Sequence, residues 1–389
     1  MRLYTVDEEL RVRLERDVRD WTAAGLLTTD QARALEPDLA TDLRRTGPML
    51  RSGLAMFTLV AGGAAIGLVM LVTDLTSSLA LTITTAMLGT LAMAAASWLV
   101  RRFRLYRHGV EEALAMGAVA LFGASAGVFG GELFHGTSDA AAWSAAMIAV
   151  AIASGFAYRR FGYRDAAVVA LAALALVPVA FDAPGVEITR VVAAVVFAGG
   201  YGYAAHVRRV ASDDITRGDA EVVRAAAAVG VYAALNVHLT GEPFGHQGHA
   251  WFTWATWVIT WVLPVVVGRA AVRERDPWLL RVAIAMTLAS LVTNKAYLGW
   301  PRQPWDPMLL GVLLSGLALV LRRWLATGAR GERRGFTAHQ LTGRDAAALQ
   351  LASLASATVQ PGATRDIPET EDPVFSGGRS GGGGAGGEF

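Results

Sequence analysis

The chain has 389 residues, 53% hydrophobic and only 17% charged, with 35 basic against 33 acidic side chains for a net charge of +2. That composition, with a positive mean hydropathy, argues against a soluble multidomain protein and shows no nucleic-acid footprint; lipid is the expected solvent. Cysteine is absent, which excludes disulfides, thiolate metal sites and a cysteine nucleophile, so any divalent metal would need His and carboxylate ligands.

The chain opens with a charged segment, residues 1–47, read as a cytoplasmic helical hairpin. Thr5 with Glu8 forms a capping-box pattern, and Leu10, Leu14, Val18 and Trp21 make one apolar face. Gly25 is expected to end that helix, and Thr28 with Gln31 to open a second that Pro37 interrupts. So charged a start is not expected to be a cleaved secretory signal, and the first span is expected to direct insertion itself. Docking, on the membrane surface or on a protein partner, is the expected role of the hairpin.

Residues 48–326 read as an all-α, polytopic transmembrane bundle of about ten helices, because about 20 apolar residues cross the roughly 30 Å hydrocarbon core. The spans are Leu54 to Val72, Leu79 to Val100, Ala113 to Phe134, Ala140 to Ala157, Ala166 to Phe181, Val191 to Ala205, Ala225 to Leu239, Trp251 to Gly268, Leu279 to Leu298 and Met308 to Leu325. The sixth and seventh are short. Arginines fall in alternate loops: Arg101, Arg102, Arg104 and Arg107; Arg159, Arg160 and Arg164; Arg208, Arg209 and Arg217; Arg269, Arg273 and Arg275; and Arg322 onward. By the positive-inside rule both termini are cytoplasmic, and the Arg- and Ala-rich composition suggests a bacterial inner membrane. Arg190, Lys295 and Arg302 are the exceptions, with Arg190, Arg224 and Arg281 placed at span edges where they are expected to reach headgroups. The remainder, 327–389, reads as a cytoplasmic tail with one short helix at about 342–356 and a disordered end, SGGRSGGGGAGGEF.

Within the spans, Gly123, Gly127 and Gly131 share one helix face and predict close helix packing. Glu132 and His135 sit just beyond, and an acidic residue and a histidine three apart can ligate a metal from a helix. With His238, His246 and His249 on the same predicted outer side, they form the best candidate site for a divalent metal, although no metal is required. A second candidate, for a ligand, is Asn236 with Asn294, Lys295 and Tyr297. Lys295 is the sole lysine, and Thr287, Ser290, Asn294 and Tyr297 form a polar stripe expected to meet helices or water. Trp251, Trp254, Trp257 and Trp261 mark one side of the eighth span, where bulky packing near the interface is the ordinary reading. Arg101-Arg102-Phe103 and Arg159-Arg160-Phe161 echo one another without establishing an inverted repeat.

The hairpin, LERDVRDWTAAGLLTTDQARAL, followed directly by spans, resembles the uncharacterised bacterial membrane proteins called domain of unknown function 2157. The segment EALAMGAVALFGASAGVFGGELFHGTSDAAAW is similar to the family's glycine-rich span, which ends in an aromatic-His pair, here Phe134 and His135. The resemblance covers about the first 145 residues; where the family often has Asn-Trp after the first span, this chain reads LVTDLTSS. It implies topology and no activity. Two functional classes follow: a non-enzymatic protein that binds or moves a small solute or lipid or scaffolds partners, and a metal-dependent hydrolase with its site at the outer face.

Overall fold

The computed structural model describes residues 2–73, 77–133, 139–180, 185–240, 249–299, 303, 305–328, 332–333 and 336–337. The chain divides into two units, Met1–His339 and Gln340–Phe389, and every described residue belongs to the first. The expected tail helix and glycine-rich end lie outside the described residues.

The described residues form an all-helical protein: α1 (Val6–Ala23), α2 (Thr29–Leu39), α3 (Pro48–Thr73), α4 (Ser78–Phe103), α5 (Val110–Leu133), α6 (Ala140–Phe161), α7 (Arg164–Leu176), α8 (Gly185–Val210), α9 (Asp214–Leu235), α10 (Ala250–Glu274), α11 (Pro277–Tyr297) and α12 (Asp306–Ala326). The remaining regular pieces are a 3₁₀ turn, Val177–Ala180, and a two-residue antiparallel ladder of Glu332–Arg333 with Phe336–Thr337. Seven helices among the described residues, α3 to α6, α8, α10 and α11, are long and apolar enough to cross a membrane, as in a multi-pass integral membrane protein.

Each of the ten expected spans coincides with a helix, but their lengths differ from the sequence reading. The fifth, α7, has 13 residues, about 20 Å at roughly 1.5 Å per residue, before the chain tightens into the 3₁₀ turn at Pro178. The sixth, expected to be short, is the 26-residue α8. The expected span began only after Arg190, yet the helix runs through it, and the guanidinium finds acceptors at Ala234 and Thr240 of the same chain. The seventh, α9, has 22 residues but opens with Asp214, Arg217, Asp219, Glu221 and Arg224, so only its second half is apolar.

Packing divides the bundle. Helix α5 lies against α3, α4 and α6, whereas α9 lies against α8, α10 and α11, and α7 joins the two groups through α6, α8 and α9. The glycine face of α5 meets α6 as expected. A Cβ on Gly123 would sit 2.5 Å from Val150 Cγ2, and one on Gly130 would sit 2.8 Å from Ala145 Cβ and 2.9 Å from the Ala141 carbonyl oxygen. The two helices therefore approach only because side chains are missing there.

The hairpin is docked on the bundle. Both capping boxes form, Thr5 with Glu8 and Thr28 with Gln31, and Gly25 takes the left-handed conformation just after α1. Pro37 lies inside α2 and the helix ends two residues later, at Leu39. The buried side chains of α1 are Glu9, Val12 and Val18, while Trp21 is exposed, so the docked face is rotated from the apolar stripe toward Glu9. The Leu3 amide donates to the Arg160 carbonyl at 2.9 Å, the Tyr4 hydroxyl to the Leu105 carbonyl at 2.6 Å, and Arg13 Nη1 to the Asp214 carbonyl at 3.2 Å. Arg44 and Tyr106 add a short parallel bridge between residues 44 and 105. The hairpin thus joins three arginine-bearing loops at one end of the bundle.

Candidate functional site

Asn236 ends α9 and is fully buried. Its Oδ1 accepts the Leu239 amide at 3.0 Å, closing the chain into a turn, while Nδ2 donates to Tyr232 Oη at 3.0 Å and Thr293 Oγ1 at 3.1 Å. Tyr232 Oη lies 2.8 Å from Ser290 Oγ, which donates to the Thr260 carbonyl at 2.6 Å. One hydrogen-bonded chain therefore runs through α9, α11 and α10. Tyr297 Oη accepts the Val237 amide at 2.9 Å, and the His238 ring stands edge-on to the Tyr297 ring, centroids 4.4 Å apart.

The other proposed ligand residues are held in the same region. Asn294 Oδ1 accepts Trp257 Nε1 at 3.0 Å, which gives one tryptophan of the α10 stripe a packing role; Trp251 and Trp254 are exposed. The buried side of α10 is Phe252, Thr256, Thr260, Pro264, Val267 and Ala271, at helical spacing. Lys295 pairs with Asp306 at the start of α12, and its ammonium lies 5.2 Å from the Trp305 ring centroid. The polar stripe of α11 thus meets neighbouring helices.

Arg190 is fully buried, contrary to the expectation that it reaches headgroups. Its guanidinium donates to the Ala234 carbonyl, in the last turn of α9, at 3.0 Å and to the Thr240 carbonyl, in the turn that follows, at 2.6 Å, a favourable place for a cation. Arg224 is likewise drawn inward. It pairs with Asp276, itself fully buried, and with Glu274, which also accepts Arg208 Nη1 at 2.8 Å. Asp276 in addition caps α11 through the Trp278 and Leu279 amides, with Pro277 fixing the first turn. Asp276-Pro277 is a helix-start signal that the sequence reading, which began this span at Leu279, passed over; its arginine partner left no local signal.

The metal candidates are not assembled by their described members. Glu132 accepts a hydrogen bond from Ser78 Oγ, His249 Nδ1 lies 2.8 Å from Glu187 Oε1, and His238 packs on Tyr297. His135 and His246 lie outside the described residues. Among the described residues, no three His, Asp or Glu side chains converge as metal ligands would.

Where the hairpin docks, Arg2 lies 3.3 Å from both Glu9 and Asp219, and over the Tyr158 ring. Burial pushes the Glu9 carboxyl up to about 7, with Arg2 pulling it back. Arg104, in the left-handed conformation that closes α4, pairs with Glu8 and with Asp42 at 2.9 Å; the Arg104 hydrogen bond holds the Asp42 carboxyl below its ordinary value.

A crevice of about 1010 Å³ opens between α4, α5 and α6. Its walls are apolar, among them Trp98, Phe129, Ile152 and Phe156, and Arg101 and Arg160 line it as well. No residue of this crevice was among the sequence candidates; the only signal was the Arg-Arg-Phe echo that ends α4 and α6.

No protein-family model matches this chain, and no curated protein matches it.

Proposed function

We propose that this chain is a non-enzymatic protein of the bacterial inner membrane, with ten spans and both termini cytoplasmic, that binds a membrane lipid or small apolar solute. The observation that carries this reading is the contrast between its buried polar residues and the apolar crevice of α4, α5 and α6. Asn236, Tyr232, Ser290, Thr293, Arg190 and Arg224 are buried in helix-to-helix contacts, whereas the crevice between α4 and α6 is apolar. A catalytic site needs polar groups directed at substrate, and buried polar groups that satisfy one another fix helix register instead.

The cytoplasmic assignment draws support from the way the arginine-bearing loops gather under the hairpin, while of two exceptions to the charge rule Lys295 is paired with Asp306 and Arg190 is hydrogen-bonded to the Ala234 and Thr240 carbonyls. The resemblance of the first 145 residues to domain of unknown function 2157 accords with the same topology. Because α1 buries its face on the chain's own loops, capture of a protein partner through the hairpin falls to α2, which has no buried residue.

Native mass spectrometry of the full chain, released from mild detergent, tests the reading. The expected result is a lipid or other apolar adduct that persists after the detergent is stripped. A bare chain under those conditions overturns it.

A further inference from the structure

We propose that the crevice between α4, α5 and α6 is a binding site for an anionic phospholipid of the cytoplasmic leaflet, its phosphate held by Arg101 and Arg160 and one acyl chain lying along the apolar walls. This rests on the lipid-binding reading above and names the ligand's charge and orientation.

Three observations converge on it. Helices α4 and α6 run in the same direction, so the last turn of each, with its arginine pair, lies at one end of the crevice. From each pair one member faces the opening: Arg101 and Arg160 line it, and Arg102 and Arg159 do not. Neither Arg101 nor Arg160 has a carboxylate partner among the described residues, although Arg2, which lies over the Tyr158 ring of α6, Arg51, which pairs with Glu112 of α5, and Arg104, just after α4, all do. Two guanidiniums left without anions at the mouth of an apolar channel complement a phosphate attached to a hydrocarbon tail.

The dimensions agree. Thr82, at the far end of the lining, is about 28 Å from Arg101 along α4 at roughly 1.5 Å per residue, which spans an acyl chain with room to spare. The walls offer Trp98, Phe122, Phe129, Ile152 and Phe156 to that chain. Basic pockets between helices on the cytoplasmic side are favourable for anionic headgroups, each basic residue contributing about a fivefold factor.

The test uses the full chain in detergent, titrated with phosphatidylglycerol or phosphatidylcholine and read by native mass spectrometry. Phosphatidylglycerol should be retained in preference to phosphatidylcholine. The double variant R101Q/R160Q should bind it roughly thirtyfold more weakly, with a smaller loss for phosphatidylcholine, whose choline cation offsets its phosphate. The charge-matched control R102Q/R159Q should behave as the unaltered chain. Equal loss in both double variants, or displacement of the lipid by inorganic phosphate alone, overturns the proposal. Retention without regard to headgroup charge overturns the proposal and leaves the lipid-binding function standing, whereas failure to retain either lipid removes both. Should R101Q/R160Q not fold, the preference of the unaltered chain between the two lipids, and its weakening by salt, decides the matter.

Discussion

Helices α4 to α6 and α9 to α11 are both three-helix packings of span-length segments, yet different interactions hold them. In the first group α5 meets α6 through Gly123, Gly127, Gly130 and Gly131, so the contact is van der Waals and no hydrogen bond is needed to set it. In the second, Tyr232, Asn236, Thr260, Ser290 and Thr293 link the helices, and Arg224 with Asp276 locks one end. Small residues allow closeness and leave neighbouring surfaces free to form an apolar crevice. Polar pairs fix register and leave few groups for a ligand. The contrast explains why the apolar crevice lies in the half with fewer polar contacts.

The comparison can be broken most forcefully at Arg224. Replacing it with alanine leaves Asp276 buried and uncompensated, and should destabilise the chain by about 3–5 kcal/mol, seen as a large fall in the detergent unfolding temperature. Gly130→Val tests the other half, where the added side chain meets Ala145 and the Ala141 backbone; a loss of about 1–3 kcal/mol is expected in the same assay. Asn236→Ala should cost about 1 kcal/mol, in the range of membrane hydrogen bonds, and leave lipid retention unchanged. An equal loss of retention in that variant would show that the halves are coupled.

A subtler effect concerns the hairpin. The Glu9 carboxyl rises on docking from about 4.5 to about 7, so the docked form holds its proton more tightly. Its contribution to docking is therefore fully present below about pH 4.5 and is lost as the pH rises through about 7. Because the chain has no cysteine, spin labels at Arg11→Cys and Ser212→Cys can report the hairpin distance directly. The distance distribution should broaden between pH 5 and 8 in the parent and stay narrow in Glu9→Gln. The smallest expected effect is that of a chelator, which should leave the unfolding temperature unchanged; a fall, with zinc or manganese recovered, would revive the metal reading of Glu132 and the histidines.

How far the sequence could be read depended on the kind of interaction. Periodic apolarity and length located helices at all ten expected spans, seven of them long and apolar enough to cross a membrane, and the spacing of Gly123, Gly127 and Gly131 announced the α5–α6 contact, because these are local properties of the chain. The caps at Thr5 and Thr28 were equally local. The polar stripe of α11 pointed to helix contacts, but its partners on α9 and α10 could not be named.

What composition, periodicity and charge determine here is a membrane-type helical protein and which loops share an end, since hydropathy and arginine placement act residue by residue. What only the tertiary structure decided is which helices are neighbours. That adjacency buried Arg190 and Arg224 where headgroup contact was expected, turned the docked face of α1 toward Glu9, and placed Arg101 beside the same crevice as Arg160. Partners separated by tens of residues leave no local pattern, and the difference between a solvated arginine and a buried one is made by acceptors elsewhere in the chain.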